Sequence, residues 1–216
     1  MRKDISAGRV CHIVGAGEFK EKVLPIEPGD FVIAADGGYL HLQQAGIQPN
    51  LLVGDFDSLE QEPDFENRIR LPKEKDDTDM VFAVRQGYDL GFRHFVIYGG
   101  LGGRLDHTMA NIQTLAYLSQ LGASGFLVGE GRVLTALTNG RMEFGREMKG
   151  IISIFCHGDE ALGVDLYGLK YPLRKAVLKA TMPLGVSNEF IGTESSVSVE
   201  KGTLILYWTE EGFRIK

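Results

Sequence analysis

The chain has 216 residues, 44% hydrophobic and 24% charged, a composition ordinary for one large or two small globular domains. A net charge of −6 without a Lys/Arg stripe argues against nucleic-acid binding, which needs a basic footprint. Cys11 and Cys156 have neither zinc nor CxxC spacing, the start lacks a hydrophobic signal region, and no run approaches membrane-spanning length. The expectation is a cytoplasmic protein with free thiols that binds neither nucleic acid nor membrane.

In chain order, Val10–Val14 is a first predicted strand, closed by the turn Gly15-Ala16-Gly17-Glu18. Lys20 breaks a dinucleotide fingerprint there, so the glycines mark only a sharp turn. His12, inside that apolar run, reads as a satisfied core histidine. Phe31–Ala35 is a second strand ending in Asp36-Gly37-Gly38, followed by a helix over 39–45 that Gly46 and Pro49 stop.

Leu51-Leu52-Val53 is a third strand, ending in Gly54-Asp55-Phe56-Asp57-Ser58. Side chains alternate along a strand, so Asp55 and Asp57 leave it on one side. Two close carboxylates repel unless a cation lies between them, and Mg²⁺ takes one or two carboxylates plus substrate phosphates. An acidic protein that handles a phosphate ester imports positive charge most simply as such a metal.

Asp76, Asp77 or Thr78 is expected to cap a helix carrying Met80, Val81, Val84 and Tyr88 and ending at Gly91. Lys73 and Lys75 flank those acids, as a phosphate–metal site requires. His94–Tyr98 is the next strand, and Gly99-Gly100-Leu101-Gly102-Gly103 follows it. Four glycines in five positions let backbone amides approach an anion, and Arg104 adds a planar fork. The helix after it places Leu105, Met109, Ile112, Leu115 and Ala116 on one face, its amino end toward the same ligand.

Residues 124–128 and 133–137 add two strands. The alternation of strands and helices predicts a Rossmann-like α/β domain with a mostly parallel sheet over residues 1–140. From 141 to 216 the texture changes to short alternating runs at 151–155, 163–167, 195–200 and 203–208. Glu200-Lys201-Gly202 reads as a hairpin turn. This stretch is predicted to be a small antiparallel β-sandwich domain. Some 75 residues is near the lower limit for an independent core, so a dimer with the β domains at its interface is expected.

Taken together, these motifs resemble the thiamine pyrophosphokinase family. The resemblance runs from Asp36-Gly37-Gly38 and Gly54-Asp55-Phe56-Asp57-Ser58 through Lys75-Asp76-Asp77-Thr78-Asp79 and Gly102-Gly103-Arg104-Leu105-Asp106-His107. It ends at Gly185-Val186-Ser187-Asn188-Glu189-Phe190. It implies a dimeric enzyme with an α/β ATP- and Mg²⁺-binding domain and a β-sandwich domain for thiamine and dimerisation. Such an enzyme transfers the pyrophosphoryl group of ATP to the hydroxyl of thiamine and releases AMP. By position, Asp55, Asp57 and Asp79 correspond to the Mg²⁺ ligands. Asp36, Lys75, Asp76, Thr78, Gly100, Arg104, Asp106 and His107 fall on the ATP side. Ser187 and Asn188 match the segment that reaches thiamine across the dimer, and Trp208 matches an aromatic that stacks on it.

Three alternatives stand beside this reading. One is pyrophosphoryl transfer to another alcohol, such as a pterin, on the same scaffold. Another is a Mg²⁺-dependent phosphatase, because Asp55-Phe56-Asp57 echoes a strand-end D-x-D; Leu59 occupies the place where such enzymes carry Thr or Val. The third is a nucleotide- or thiamine-binding sensor without turnover, which the intact carboxylates and Arg104 loop disfavour.

Overall fold

The computed structural model describes residues 8–19, 24–56, 65–72, 74 and 76–209. Asp57, Ser58, Lys73 and Lys75 lie outside the described residues. The described residues divide into two compact units, one of residues 8–114 with 127–130, the other of 115–126 and 131–209.

The first unit is an α/β layer structure. Its strands are β1 (Val10–Val14), β2 (Phe31–Ala35), β3 (Leu51–Gly54), β4 (Arg68–Arg70) and β5 (His94–Tyr98), all paired in parallel. They lie in the order β4-β3-β2-β1-β5. The apolar runs of β1, β3 and β5 are buried almost without interruption, as strands covered on both faces require. Each fully buried Val, Leu or Ile contributes roughly 1.5–3 kcal/mol relative to exposure. The helices are α1 (Gly38–Gln44), α2 (Asp79–Asp89) and α3 (Leu105–Gln120), whose first ten residues belong to this unit. Thr78 settles the choice of cap for α2: its hydroxyl accepts the Val81 N–H at 3.2 Å. None of the described helices is long and apolar enough to cross a membrane.

Strand order reverses between β1 and β5: β2, β3 and β4 extend from one side of β1, and β5 pairs on the other. Open parallel sheets bind ligands outside the carboxyl ends of the strands at such a switch point. The glycine turns after β1 and β5 therefore lie side by side.

The second unit is antiparallel. It holds β7 (Arg132–Thr138), β8 (Arg141–Phe144), β9 (Ile151–Tyr167), β10 (Leu173–Lys179), β11 (Gly185–Glu189), β12 (Ser195–Ser198) and β13 (Lys201–Thr209). β6 (Ser124–Gly129) is shared between the units. The runs expected at 151–155 and 163–167 are one strand, β9. Its first half pairs with β13 and β11, and its second half with β10 and β12. Gly158, at φ +99°, lets the strand turn between these partners, a conformation L side chains rarely adopt. The hairpin expected at Glu200-Lys201-Gly202 does not form: β12 and β13 do not pair with each other but follow one another along β9, Ser198 opposite Asp165 and Lys201 opposite Leu162. Trp208 is fully buried and meets Phe126 and Phe144 edge-on, with centroids 6.4 and 5.5 Å away.

The face expected on α3 is corrected at its amino end. Leu105 and Met109 are 73% and 60% exposed, whereas Asn111, Thr114, Leu115, Ala116 and Leu118 are buried. Periodicity identifies a helix, but the buried stripe is rotated from the most apolar one.

Candidate active site

A cleft of about 490 Å³ opens at the switch point of the α/β unit. Gly15, Ala16 and Gly17 line it after β1, Asp36 after β2, and Gly99, Gly100, Gly102 and Gly103 after β5. The first turns of two helices complete it, with Thr78, Asp79 and Met80 from α2 and Arg104, His107, Ala110 and Asn111 around the start of α3. Helix amino ends carry partial positive charge and orphan N–H groups, so anionic ligands are favoured there.

Six of the residues singled out in the sequence line this one cleft: Asp36, Thr78, Asp79, Gly100, Arg104 and His107. Asp55 is half-buried just past the end of β3, and Asp76 is exposed in the turn before α2; neither is among the lining residues. Asp77 is engaged by the guanidinium of Arg85, eight residues further along the chain. Asp106 is bonded to Arg104 at 2.7 Å, and that hydrogen bond chiefly holds its carboxyl below the usual range.

Backbone strain marks the strand ends. Asp36 sits at φ +49° and Phe56 at +63°, both left-handed, and left-handed non-glycine residues concentrate at functional sites. The Asp36 N–H donates to the Val53 carbonyl at 2.7 Å, which ties the end of β2 to β3. Gly99, at φ +61°, brings its backbone against Gly15: a Cβ there would lie 2.3 Å from the Gly15 carbonyl oxygen. The two turns bond directly, Gly15 N–H to Tyr98 O and Gly17 N–H to Gly99 O, each 2.9 Å.

Hard oxygen donors suit Mg²⁺, and one or two carboxylates with phosphate oxygens suffice for it. Asp36 and Asp79, facing one cleft, meet that requirement, while the described residues hold no cluster of three metal-ligating side chains. Of the expected ligands Asp55, Asp57 and Asp79, Asp79 lines the cleft, Asp55 does not, and Asp57 lies outside the described residues.

Two residues missed in the sequence contribute to the cleft. Asn111 is buried and its amide donates to the Gly100 carbonyl at 2.8 Å. The His41 imidazole bonds the Gly17 carbonyl at 2.9 Å. A polar residue in the buried stripe of α3 was the available signal for Asn111; nothing local singled out His41.

In the β unit, Ser187 is exposed at φ +58°, at a register shift of β11 on β9, and its N–H donates to Ser153 Oγ at 3.0 Å. Asn188 is buried. Its carbonyl oxygen accepts from the Tyr171 and Glu189 N–H groups, and its amide donates to Tyr171 O at 2.7 Å. This clamp fixes Tyr171, whose exposed ring belongs to the same unit. Trp208 occupies the core described above.

Comparison with known proteins gives one answer throughout. Residues 26–125 match the family model for the thiamin pyrophosphokinase catalytic domain, and residues 137–204 match that for the thiamin pyrophosphokinase vitamin B1 binding domain. The chain is 30% identical over 185 residues to thiamine pyrophosphokinase of Bacillus subtilis, covering 81% of this chain and 85% of that one. It is 27% identical over 176 residues to thiamin pyrophosphokinase 1 of Caenorhabditis elegans, covering 75% and 70% respectively. The crystal structure of the Bacillus subtilis enzyme superposes with a TM-score of 0.82 at 26% identity, over 93% of this chain and 99% of that one.

Proposed function

The chain belongs to the thiamine pyrophosphokinase family, and from that membership we propose that its switch-point cleft seats Mg²⁺–ATP for pyrophosphoryl transfer to thiamine. It is an ATP-dependent transferase that makes thiamine diphosphate and AMP. The observation that carries the placement is one cleft lined by two carboxylates, an arginine, two glycine turns and two helix starts. In-line transfer of this kind asks a protein mainly for positioning and charge neutralisation.

Asp36 and Asp79, with Asp55 and Asp57 from the end of β3, are the side chains that would hold Mg²⁺. The ion supplies charge neutralisation on the phosphate oxygens when bound. Arg104 offers its fork to the phosphates, with Lys75, Asp76, Thr78, Asp106 and His107 around them. The glycine turns leave room for the nucleotide to approach backbone closely. The thiamine hydroxyl oxygen attacks the β-phosphorus, the bond from that phosphorus to the α-phosphate's bridging oxygen breaks, and AMP departs. An aspartate of the cleft accepts the hydroxyl proton.

Ser187 is the proposed contact for thiamine, and Asn188 shapes its surroundings by holding Tyr171. We propose a homodimer in which these segments serve the partner's cleft. Supporting it, Ile151, Phe155, Met182, Leu184, Val186 and Ile191 are large apolar residues left exposed on the β unit. A cytoplasmic location, where ATP and reduced thiols are found, goes with this reading.

Incubation with ATP, MgCl₂ and thiamine, followed by chromatography, is expected to yield AMP and thiamine diphosphate in equal amounts. Release of ADP or inorganic phosphate instead would replace this reaction with another.

A further inference from the structure

We propose that His41 is a positioning residue for the nucleotide, and that Asn111 is its counterpart on the other glycine turn. The inference rests on the cleft being the ATP site. Each side chain ties down one carbonyl of a turn that lines the cleft: His41 takes Gly17 O at 2.9 Å and Asn111 takes Gly100 O at 2.8 Å. The pins come from the helices following β2 and β5, so α1 and α3 each hold one turn.

The chemistry gives the pins a purpose. The Gly15 and Gly17 N–H groups are already spent on Tyr98 O and Gly99 O, which locks the turns to each other. The carbonyls of Gly17 and Gly100 remain, and a carbonyl oxygen turned toward a polyphosphate repels it. A side-chain donor that captures each oxygen removes that repulsion and fixes the peptide plane. A carbonyl can only accept, so the imidazole carries its proton on Nε2. Phe19 stacks on the imidazole at 5.3 Å and meets Tyr98 edge-on at 6.3 Å, which restrains the ring's rotation.

Two substitutions separate donor from ring. His41→Phe keeps the aromatic stack and removes the donor; His41→Gln keeps a donor and removes the ring. For His41→Phe, calorimetry is expected to show ATP binding weakened about 5- to 30-fold, the equivalent of about 1–2 kcal/mol for a lost hydrogen bond. Thiamine KM, kcat and melting temperature should stay near wild type, and amide exchange at Gly15 and Gly17 should quicken. His41→Gln is expected to recover most of the ATP affinity. Asn111→Leu should weaken ATP binding in the same way, and the His41 pair decides alone if that variant fails to fold. ATP affinity within twofold of wild type in His41→Phe, or equal impairment of the Phe and Gln variants, would overturn the proposal. A parallel loss of ATP affinity, thiamine affinity and melting temperature would also overturn it, by making the role structural. Wild-type protein that binds no ATP would instead remove the reading of the cleft, while amide exchange would still report whether His41 pins the turn.

Discussion

Arg104 and Asp106 grip each other across one residue: Nη2 donates to Oδ2 at 2.7 Å and Nε to Oδ1 at 3.3 Å. Both side chains are largely in solvent at the cleft edge, so the pair adds little to stability but presents the guanidinium plane in a set orientation. Arg104→Lys keeps the charge and loses the fork. Its KM for ATP is expected to rise about 10-fold or more, the equivalent of the roughly 1.5–3 kcal/mol of a charge-assisted hydrogen bond. Steady-state kinetics with thiamine saturating checks this, and a KM for ATP within twofold of wild type would remove Arg104 from the nucleotide site.

Asp55→Asn and Asp79→Asn are each expected to abolish turnover while leaving the melting temperature within a few degrees of wild type. An amide is a poorer ligand for a hard divalent cation, and neither residue is part of the apolar core. Chelation of the wild type with EDTA should reproduce the loss, and added Mg²⁺ should reverse it. Near wild-type turnover in either variant would overturn the metal assignment for that residue.

His12 and Asp30 give stability an acid limb. Burial holds the His12 imidazole below its ordinary pKa, against the opposing pull of Asp30 at 3.2 Å. Burial pushes Asp30 up, but the N–H groups of Val10 and Glu27 and the His12 ring outweigh it, and its carboxyl titrates below the usual value. At both groups the unfolded chain takes a proton more readily than the folded one. Stability from them is therefore complete above the ordinary values, about 6.5 for His and about 3.9 for Asp, and is lost as pH falls through the folded ones. Urea midpoints should drop between pH 7 and pH 5, and His12→Gln should flatten that segment. An unchanged slope in the variant would assign the limb to other groups.

Trp208 is the sole tryptophan and fully buried, so its fluorescence should be blue-shifted and indifferent to thiamine. Trp208→Phe is expected to cost roughly 0.5–3 kcal/mol through the space it leaves between Phe126 and Phe144. The KM for thiamine should not change. Quenching by thiamine together with a raised KM would put this ring on the ligand.

The elements themselves were largely legible in the sequence, because apolar periodicity, caps and glycine stops act within a few residues. β1, β2 and β5 begin at Val10, Phe31 and His94 as their apolar runs predict, and α2 starts after Thr78, one of the three caps the sequence offered. The errors arose where a distant partner decides. β9 reads as two runs because Gly158 and Gly163 interrupt its pattern, yet β13, β11, β10 and β12 pair along its length. Leu105 and Met109 look like core and are exposed, because what covers a helix face depends on neighbours the periodicity does not name.

The chain by itself determines which residue types end each strand, and those endings, Asp36-Gly37-Gly38, Gly54-Asp55 and Gly102-Gly103-Arg104, carry the family. Only the tertiary structure decided that the turns after β1 and β5 bond to each other, and that His41 and Asn111 each take a carbonyl beside them. The reason is range. Local preferences act on neighbouring dihedrals and side chains, whereas the pairing of Cys11 with Phe95 joins segments that share nothing in sequence but a place in the sheet.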